Sequence, residues 1–299
     1  MGRPCYVVDS FADRALAGNP AGVLLDAEGL DAGAMQRIAA EMKHSETAYP
    51  LPPAERGAPL HLRWFTPQAE VAFCGHATLA TFHVLVEEAK RLVVPEGGLT
   101  RTAFTCKSGR LEVELSRREG KLRILIQTPP SAFEPARVPA GLVTALGIVP
   151  EALDPELPPQ RSTILEGNLY LALRDRAALA RCRPDGAALE EIGRRLGVAG
   201  CVVYTPDPAP SADAAMRCFF PGYGVLEDPV TGSAAGQLGA LIQMLRPRPL
   251  PRRLQFTQGD EMGRPGRVEV EVRAEEGPGK VRGWIGGRAV TILRGELAL

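Results

Sequence analysis

Glu227-Asp228-Pro229-Val230-Thr231-Gly232-Ser233-Ala234-Ala235-Gly236 sets an acid and a proline ahead of a Thr-Gly-Ser turn, and the small residues after it run into a helical spacing of Leu238, Leu241, Ile242 and Leu245. The stretch predicts a helix start. The first-turn amides of a helix lack intrahelical acceptors and the helix dipole adds partial positive charge there, so such a start holds anions. The plain alternative is that Thr231 or Ser233 only caps the helix. A second copy of the pattern decides between them.

That copy lies upstream. Asp31 is placed to cap a helix carrying Met35, Ile38, Ala39 and Met42, and an extended segment follows from Glu46 to Tyr49. A strand, His61 to Phe65, leads through Thr66-Pro67 to Cys74-Gly75-His76-Ala77-Thr78, which opens an apolar helix reaching about Val86. One constant offset carries Asp31 onto Asp185, Met35 onto Leu189, Ile38 onto Ile192, Met42 onto Leu196, Arg63 onto Arg217, Phe65 onto Phe219 and Pro67 onto Pro221. With one residue inserted, Cys74 to Thr78 then faces Pro229 to Ser233, each segment opening a helix. Two similar α/β domains follow, with a boundary in the proline-rich Thr128-Pro129-Pro130-Ser131, and a cleft between such halves is the expected ligand site. The same offset carries Glu46 onto Gly200, so one half alone has the carboxylate. A structural repeat needs no such difference, whereas a proton-transfer site does.

Composition narrows the partners. A chain of 299 residues with 35 Lys+Arg against 35 Asp+Glu has no electrostatic claim on nucleic acid or an anionic membrane, and a small-molecule partner fits better. No apolar run approaches the roughly 20 residues needed to cross a bilayer, and the start has no secretory apolar region, so a cytoplasmic protein is expected. The six cysteines are scattered with no Cys-x-x-Cys pair, which predicts neither a zinc site nor a disulfide framework.

Gly18-Asn19-Pro20-Ala21, Ser45-Glu46-Thr47-Ala48, Cys74-Gly75-His76-Ala77-Thr78, Asp228-Pro229-Val230-Thr231-Gly232-Ser233, Gln258-Gly259 with Met262-Gly263-Arg264-Pro265, and Gly286-Gly287-Arg288-Ala289-Val290 occur in this order. In this the chain resembles the PhzF-like isomerases of the phenazine-biosynthesis type, nearly end to end. The resemblance implies the diaminopimelate-epimerase-like fold, with two α/β domains, each a barrel-like sheet around a central helix, and commonly a homodimer. The domains would be 1–127 with a return strand at about 290–299, and 128–289. It further implies isomerisation of a small carboxylic acid with no cofactor and no metal, one glutamate moving the proton. Carried over residue by residue, that glutamate is Glu46, and the polar residues around the substrate are His76, Asp228 and Ser233.

Each residue has a plainer reading beside this one. Glu46 could be a surface carboxylate, but a base for carbon acids needs partial burial to raise its pKa, and its place between helix and apolar strand suits that. His76 could be a capping residue, and Asp228 could only fix the turn before Pro229; as functional groups they would hold polar groups of the substrate or orient each other. Thr231, Gly75 and Gly232 fit either turn geometry or close approach of a ligand to the helix starts. His44, His61 and His83 are read as structural. Cys74 carries the competing enzyme hypothesis, a two-thiol epimerase or racemase of the same fold. The residue facing it in the repeat is Pro229, which has no ionisable group, so Cys74 is read as a neighbour of the site. A non-catalytic binding protein on this scaffold is the remaining class.

Overall fold

The computed structural model describes residues 2–53, 59–164, 167–206, 212–277 and 279–299. The chain divides into two compact units, Met1–Pro129 with Trp284–Leu299, and Pro130–Gly283.

In the first unit, β1 (Arg3–Ser10) and β2 (Asn19–Leu24) pair antiparallel, and α1 (Ala32–Met42) crosses to β3 (Glu46–Leu51), which lies parallel to β2 with Ala21 opposite Glu46. Helix α1 forms where its spacing predicts. Asp31 accepts the Ala34 amide at 2.7 Å, Lys43 in the left-handed region ends it, and Met35, Ile38 and Ala39 are buried with Tyr49 and Phe65. Strands β4 (Leu60–Phe65) and β5 (Glu70–Val71) lead to α2 (Gly75–His83), which continues as a π-helical turn, Val84–Glu88. Strands β6 (Leu99–Cys106), β7 (Gly109–Arg118) and β8 (Lys121–Gln127) follow as an antiparallel meander. All residues from Gly75 to Phe82 are buried, because α2 packs against strands on several sides, β1, β2, β3 and β8 among them. A helix covered all round has no polar face to spare, and the run Ala77, Leu79, Ala80, Phe82 supplies none.

The second unit repeats this order. After β9 (Phe133–Pro135), α3 (Leu142–Ala145) and β10 (Gln160–Ser162), the chain forms β11 (Asn168–Ala172), α4 (Arg176–Arg181), α5 (Gly186–Leu196), β12 (Gly200–Thr205), β13 (Ala214–Phe220), β14 (Val225–Asp228), α6 (Gly232–Leu245), β15 (Arg252–Gln258) and β16 (Gly266–Ala274). Asp185 caps α5 on the Ala188 amide at 3.1 Å, as Asp31 caps α1. β12 runs parallel to β11 and antiparallel to β13, as β3 does to β2 and β4. Helix α6 is the counterpart of α2 and packs on β16 so closely that a Cβ at Gly239 would lie 2.5 Å from Val270. β17 (Val281–Gly287) crosses back into the first unit, where Trp284 to Gly287 pair with β8, and β18 (Ala289–Leu297) pairs with β1 and also touches α2.

The repeat extends to side chains. Arg63 and Glu70 form a two-pronged ion pair with the guanidinium over Phe65, and Arg217 and Glu227 form the same pair with the guanidinium over Phe219. These pairs correct the alignment of the helix starts. The segment from Pro221 to Glu227 is three residues longer than that from Pro67 to Glu70, the extra length being taken up by a 3-10 turn at Pro221–Tyr223. From there Glu70 matches Glu227, Val71 matches Asp228 and Cys74 matches Thr231, each of the last pair being the N-cap of its helix. The counterpart of Cys74 is therefore Thr231, not Pro229, and that of His76 is Ser233. A single inserted residue was the wrong reading because the turn leaves no hydrophobic period by which to count it.

Among the described residues no helix is long and apolar enough to cross a membrane. All six cysteines are buried, and none is in a disulfide.

Candidate active site

In the first unit the end of α1 delivers Lys43, His44 and Ser45 to the head of β3, and Glu46 is that strand's first residue. Its side chain is partly buried, 18% exposed, and Oε2 lies 3.3 Å from His76 Nε2. Ser45 Oγ is 3.2 Å from the same nitrogen and donates its proton to Asn19 Oδ1 at 3.2 Å. Cys74 Sγ is 3.4 Å from His76 Nδ1. From below, Ser10 Oγ donates to the His76 carbonyl at 2.8 Å.

The protonation pattern follows from this set of partners. Burial, with a smaller contribution from the charge of His44, pushes the His76 pKa down to about 3, so the imidazole is neutral and its 3.3 Å approach to Glu46 Oε2 is not an ion pair. A neutral ring carries one N–H. Ser45 has spent its only proton on Asn19, so towards His76 it accepts. The proton therefore sits on Nε2, and Nδ1 accepts from the Cys74 thiol. Glu46 Oε2 thus lies beside a neutral imidazole whose Nε2–H is directed to Ser45.

Ligand atoms of Glu46, Cys74 and His76 lie within 4.8 Å of one another. The arrangement suits one metal ion poorly: Cys74 and Glu46 approach opposite ring nitrogens, whose lone pairs diverge, so an ion on either nitrogen points away from the other's partner.

The second unit holds the other predicted residues. Asp228 ends β14 and is buried, and its Oδ2 accepts the Thr231 hydroxyl at 2.6 Å. Thr231 is the N-cap of α6, yet its side chain makes no capping bond, and its backbone N–H donates to Gln258 Oε1 at 2.9 Å. Gly232 is buried and Ser233 half-buried on the first helical turn. The starts of α2 and α6 thus share a feature. Neither has a side-chain cap, whereas α1, α4 and α5 are each capped by an aspartate. Uncapped first-turn amides are the donors that a carboxylate ligand would use.

The chain matches the family described as phenazine biosynthesis-like protein over residues 8–295. It belongs to that family. The trans-2,3-dihydro-3-hydroxyanthranilate isomerase of Pseudomonas aeruginosa is similar to it at 32% identity over 269 residues, covering 88% of this chain and 87% of that one. A crystal structure of a PhzF-family phenazine biosynthesis protein from Bacillus anthracis superposes with a TM-score of 0.88 at 26% identity, covering 100% of both chains. A hydroxyproline epimerase from Agrobacterium vitis shares the fold alone, at TM-score 0.70 and 12% identity over 100% of this chain and 94% of that one. The fold is the diaminopimelate-epimerase-like one, and this phenazine biosynthesis-like chain is an isomerase.

Four residues to which the sequence assigns no role hold His76, Asp228 and Thr231. Ser45, Asn19 and Ser10 fix the tautomer and height of His76, and Gln258 holds the Asp228 turn. Asn19, Ser45 and Gln258 stood in the quoted motifs; only their partners were not readable. His44, read as structural, lies close enough to His76 to depress its pKa. His61 and His83 bond to Thr105 and Thr291, away from Glu46.

Proposed function

We propose that the protein isomerises a small carboxylic acid bearing an activated C–H bond and a hydroxyl or amine, without a cofactor, through one acid/base, Glu46. Glu46 takes the proton from a substrate carbon, leaving the electron pair delocalised over the conjugated system, and returns the proton to another carbon of that system. His76, neutral and held through Nε2–H by Ser45, stands 3.3 Å from the Glu46 carboxyl. Asp228 and Ser233, with the uncapped amides of Gly75 and Gly232, take the polar groups of the acid. The P. aeruginosa relative's named substrate, a hydroxylated cyclic amino acid, belongs to this class.

The observation that carries the reading is that the fold's repeat is broken where a second base would be needed. Thr231, not a thiol, matches Cys74, and Gly200 matches Glu46. Gly200 is closed to any side chain, since a Cβ there would lie 2.3 Å from both the Phe219 carbonyl and the Phe220 ring. A two-thiol stereoinversion therefore lacks its second group, while a one-base shift lacks nothing.

The test is incubation with a panel of such acids, trans-2,3-dihydro-3-hydroxyanthranilate included, in D2O with NMR detection of deuterium at carbon. Glu46→Gln should fold, bind the acid and lose turnover by about a hundredfold or more. Exchange that survives in Glu46→Gln refutes the mechanism.

A further inference from the structure

The Asp228–Thr231 turn is gripped by one side chain. Gln258, the last residue of β15, is buried and makes three hydrogen bonds, all to this turn. Its Oε1 accepts the Thr231 N–H at 2.9 Å, and its Nε2 donates to the Asp228 carbonyl at 2.8 Å and to Thr231 Oγ1 at 3.1 Å. The partners fix the amide's orientation, because a backbone N–H needs the oxygen and a backbone carbonyl needs the nitrogen. With Nε2 donating into Thr231 Oγ1, the hydroxyl proton is directed to Asp228 Oδ2, 2.6 Å away. Gly259 allows this approach: a Cβ there would lie 2.7 Å from the Pro229 carbonyl, and its φ is +88°.

The fold does not require this arrangement, because the first unit builds the same corner without it. β4 and β6 pair in parallel with His61 opposite Thr105, and β13 and β15 with Ala215 opposite Thr257, so Cys106 is the counterpart of Gln258. Cys106 instead reaches the Gly109 carbonyl of its own hairpin, and Val71 stands where Asp228 stands. The glutamine and the acid occur together in one unit and are both missing from the other.

We propose that Gln258 is a positioning residue, which presets the Asp228 carboxylate and the Thr231 hydroxyl for a hydroxyl or ammonium group of the substrate. The clamp stands on the geometry; its effect on substrate rests on the reading of Asp228 given above. Gln258→Met removes the acceptor and both donors at similar length. Gln258→Glu keeps an acceptor for the Thr231 amide and removes the donors, and it carries the test if the methionine variant does not fold.

Two readouts apply. In NMR-detected amide exchange, Thr231 N–H should exchange about tenfold faster or more in Gln258→Met and near the wild-type rate in Gln258→Glu, with the β12 and β13 amides unchanged. For the acid turned over by the wild type, both variants should raise KM about tenfold with a smaller change in kcat. Lowering the pH should bring the KM of Gln258→Glu back towards that of the wild type at the same pH, because a protonated carboxyl regains a donor. Unchanged Thr231 exchange in Gln258→Met overturns the clamp. Unchanged KM in both variants beside an active wild type overturns the positioning role and leaves the functional reading standing. A wild type inert towards every acid overturns that reading instead, and Thr231 exchange still decides the clamp.

Discussion

The neutrality of His76 has a measurable consequence for stability. Its pKa falls from an ordinary value of 6.5 to about 3 on folding, so below the unfolded value the unfolded chain binds a proton that the folded chain refuses. The contribution is fully present above the unfolded pKa and is lost as pH falls towards the folded one. Between about pH 7 and about pH 4.5 the loss works out at about 2.5 kcal/mol, from ~1.4 kcal/mol per unit of pKa difference over that window. His76→Asn keeps a polar group on the same turn and removes the titration. Urea unfolding of both proteins at the two pH values cancels the carboxylates and His83, which they share. The wild type should lose about 2.5 kcal/mol more than the variant on acidification. NMR of the wild type should show the His76 ring in the Nε2–H tautomer throughout the window. An equal acid loss in the two proteins, or a His76 ring that titrates near its ordinary pKa, refutes the neutral imidazole beside Glu46.

Two further outcomes follow from the same geometry. Cys74→Ala removes the thiol donor to Nδ1, so turnover of the accepted acid should stay within about tenfold of wild type, and Cys74→Ser should restore it; loss of all turnover in both would return the thiol to the role of base. Arg217 is buried, bonds Glu227 through two prongs and donates to the Leu179 and Cys182 carbonyls, whereas Arg63 in the matching pair is partly exposed. Arg217→Met should therefore cost about 3–5 kcal/mol in urea unfolding and Arg63→Met clearly less; equal costs would show that burial does not govern the two pairs.

Much of the fold was legible because local rules and tertiary structure agree. Asp31 and Asp185 cap helices whose apolar spacing was plain, and the offset that joins Arg63 to Arg217 also joins two matching ion pairs on matching strands. The alignment failed where the chain makes a 3-10 turn at Pro221–Tyr223, since a turn carries no period against which to count residues. Pro229 therefore seemed to face Cys74. Its replacement by Thr231 keeps the argument against a second thiol and changes the residue on which it rests. Within the site, Glu46 and His76 were readable as types in motifs. The tautomer was not, because it depends on Ser45 spending its proton on Asn19, a partner from another strand. Gln258 was quoted with its glycine but given no task, since its partners lie some thirty residues upstream in the chain.

A duplicated fold supplies its own control for deciding which residues serve architecture. Positions kept in both units, Asp31 with Asp185, Arg63 with Arg217, Glu70 with Glu227 and Phe65 with Phe219, cap helices and pair strands. Among the positions that differ are Glu46 against Gly200, Val71 against Asp228, Cys74 against Thr231, His76 against Ser233 and Cys106 against Gln258. If the departures were drift, they would scatter over the surface of each unit. Instead, Glu46 and Cys74 flank the His76 imidazole in the first unit, and Asp228, Thr231 and Gln258 in the second are linked by hydrogen bonds of 3.1 Å or less. Selection that keeps a fold acts equally on both copies. Clustered divergence needs a cause that acts on each copy differently, and the asymmetric substrate proposed above, with one carbon to deprotonate and polar groups to hold, is such a cause.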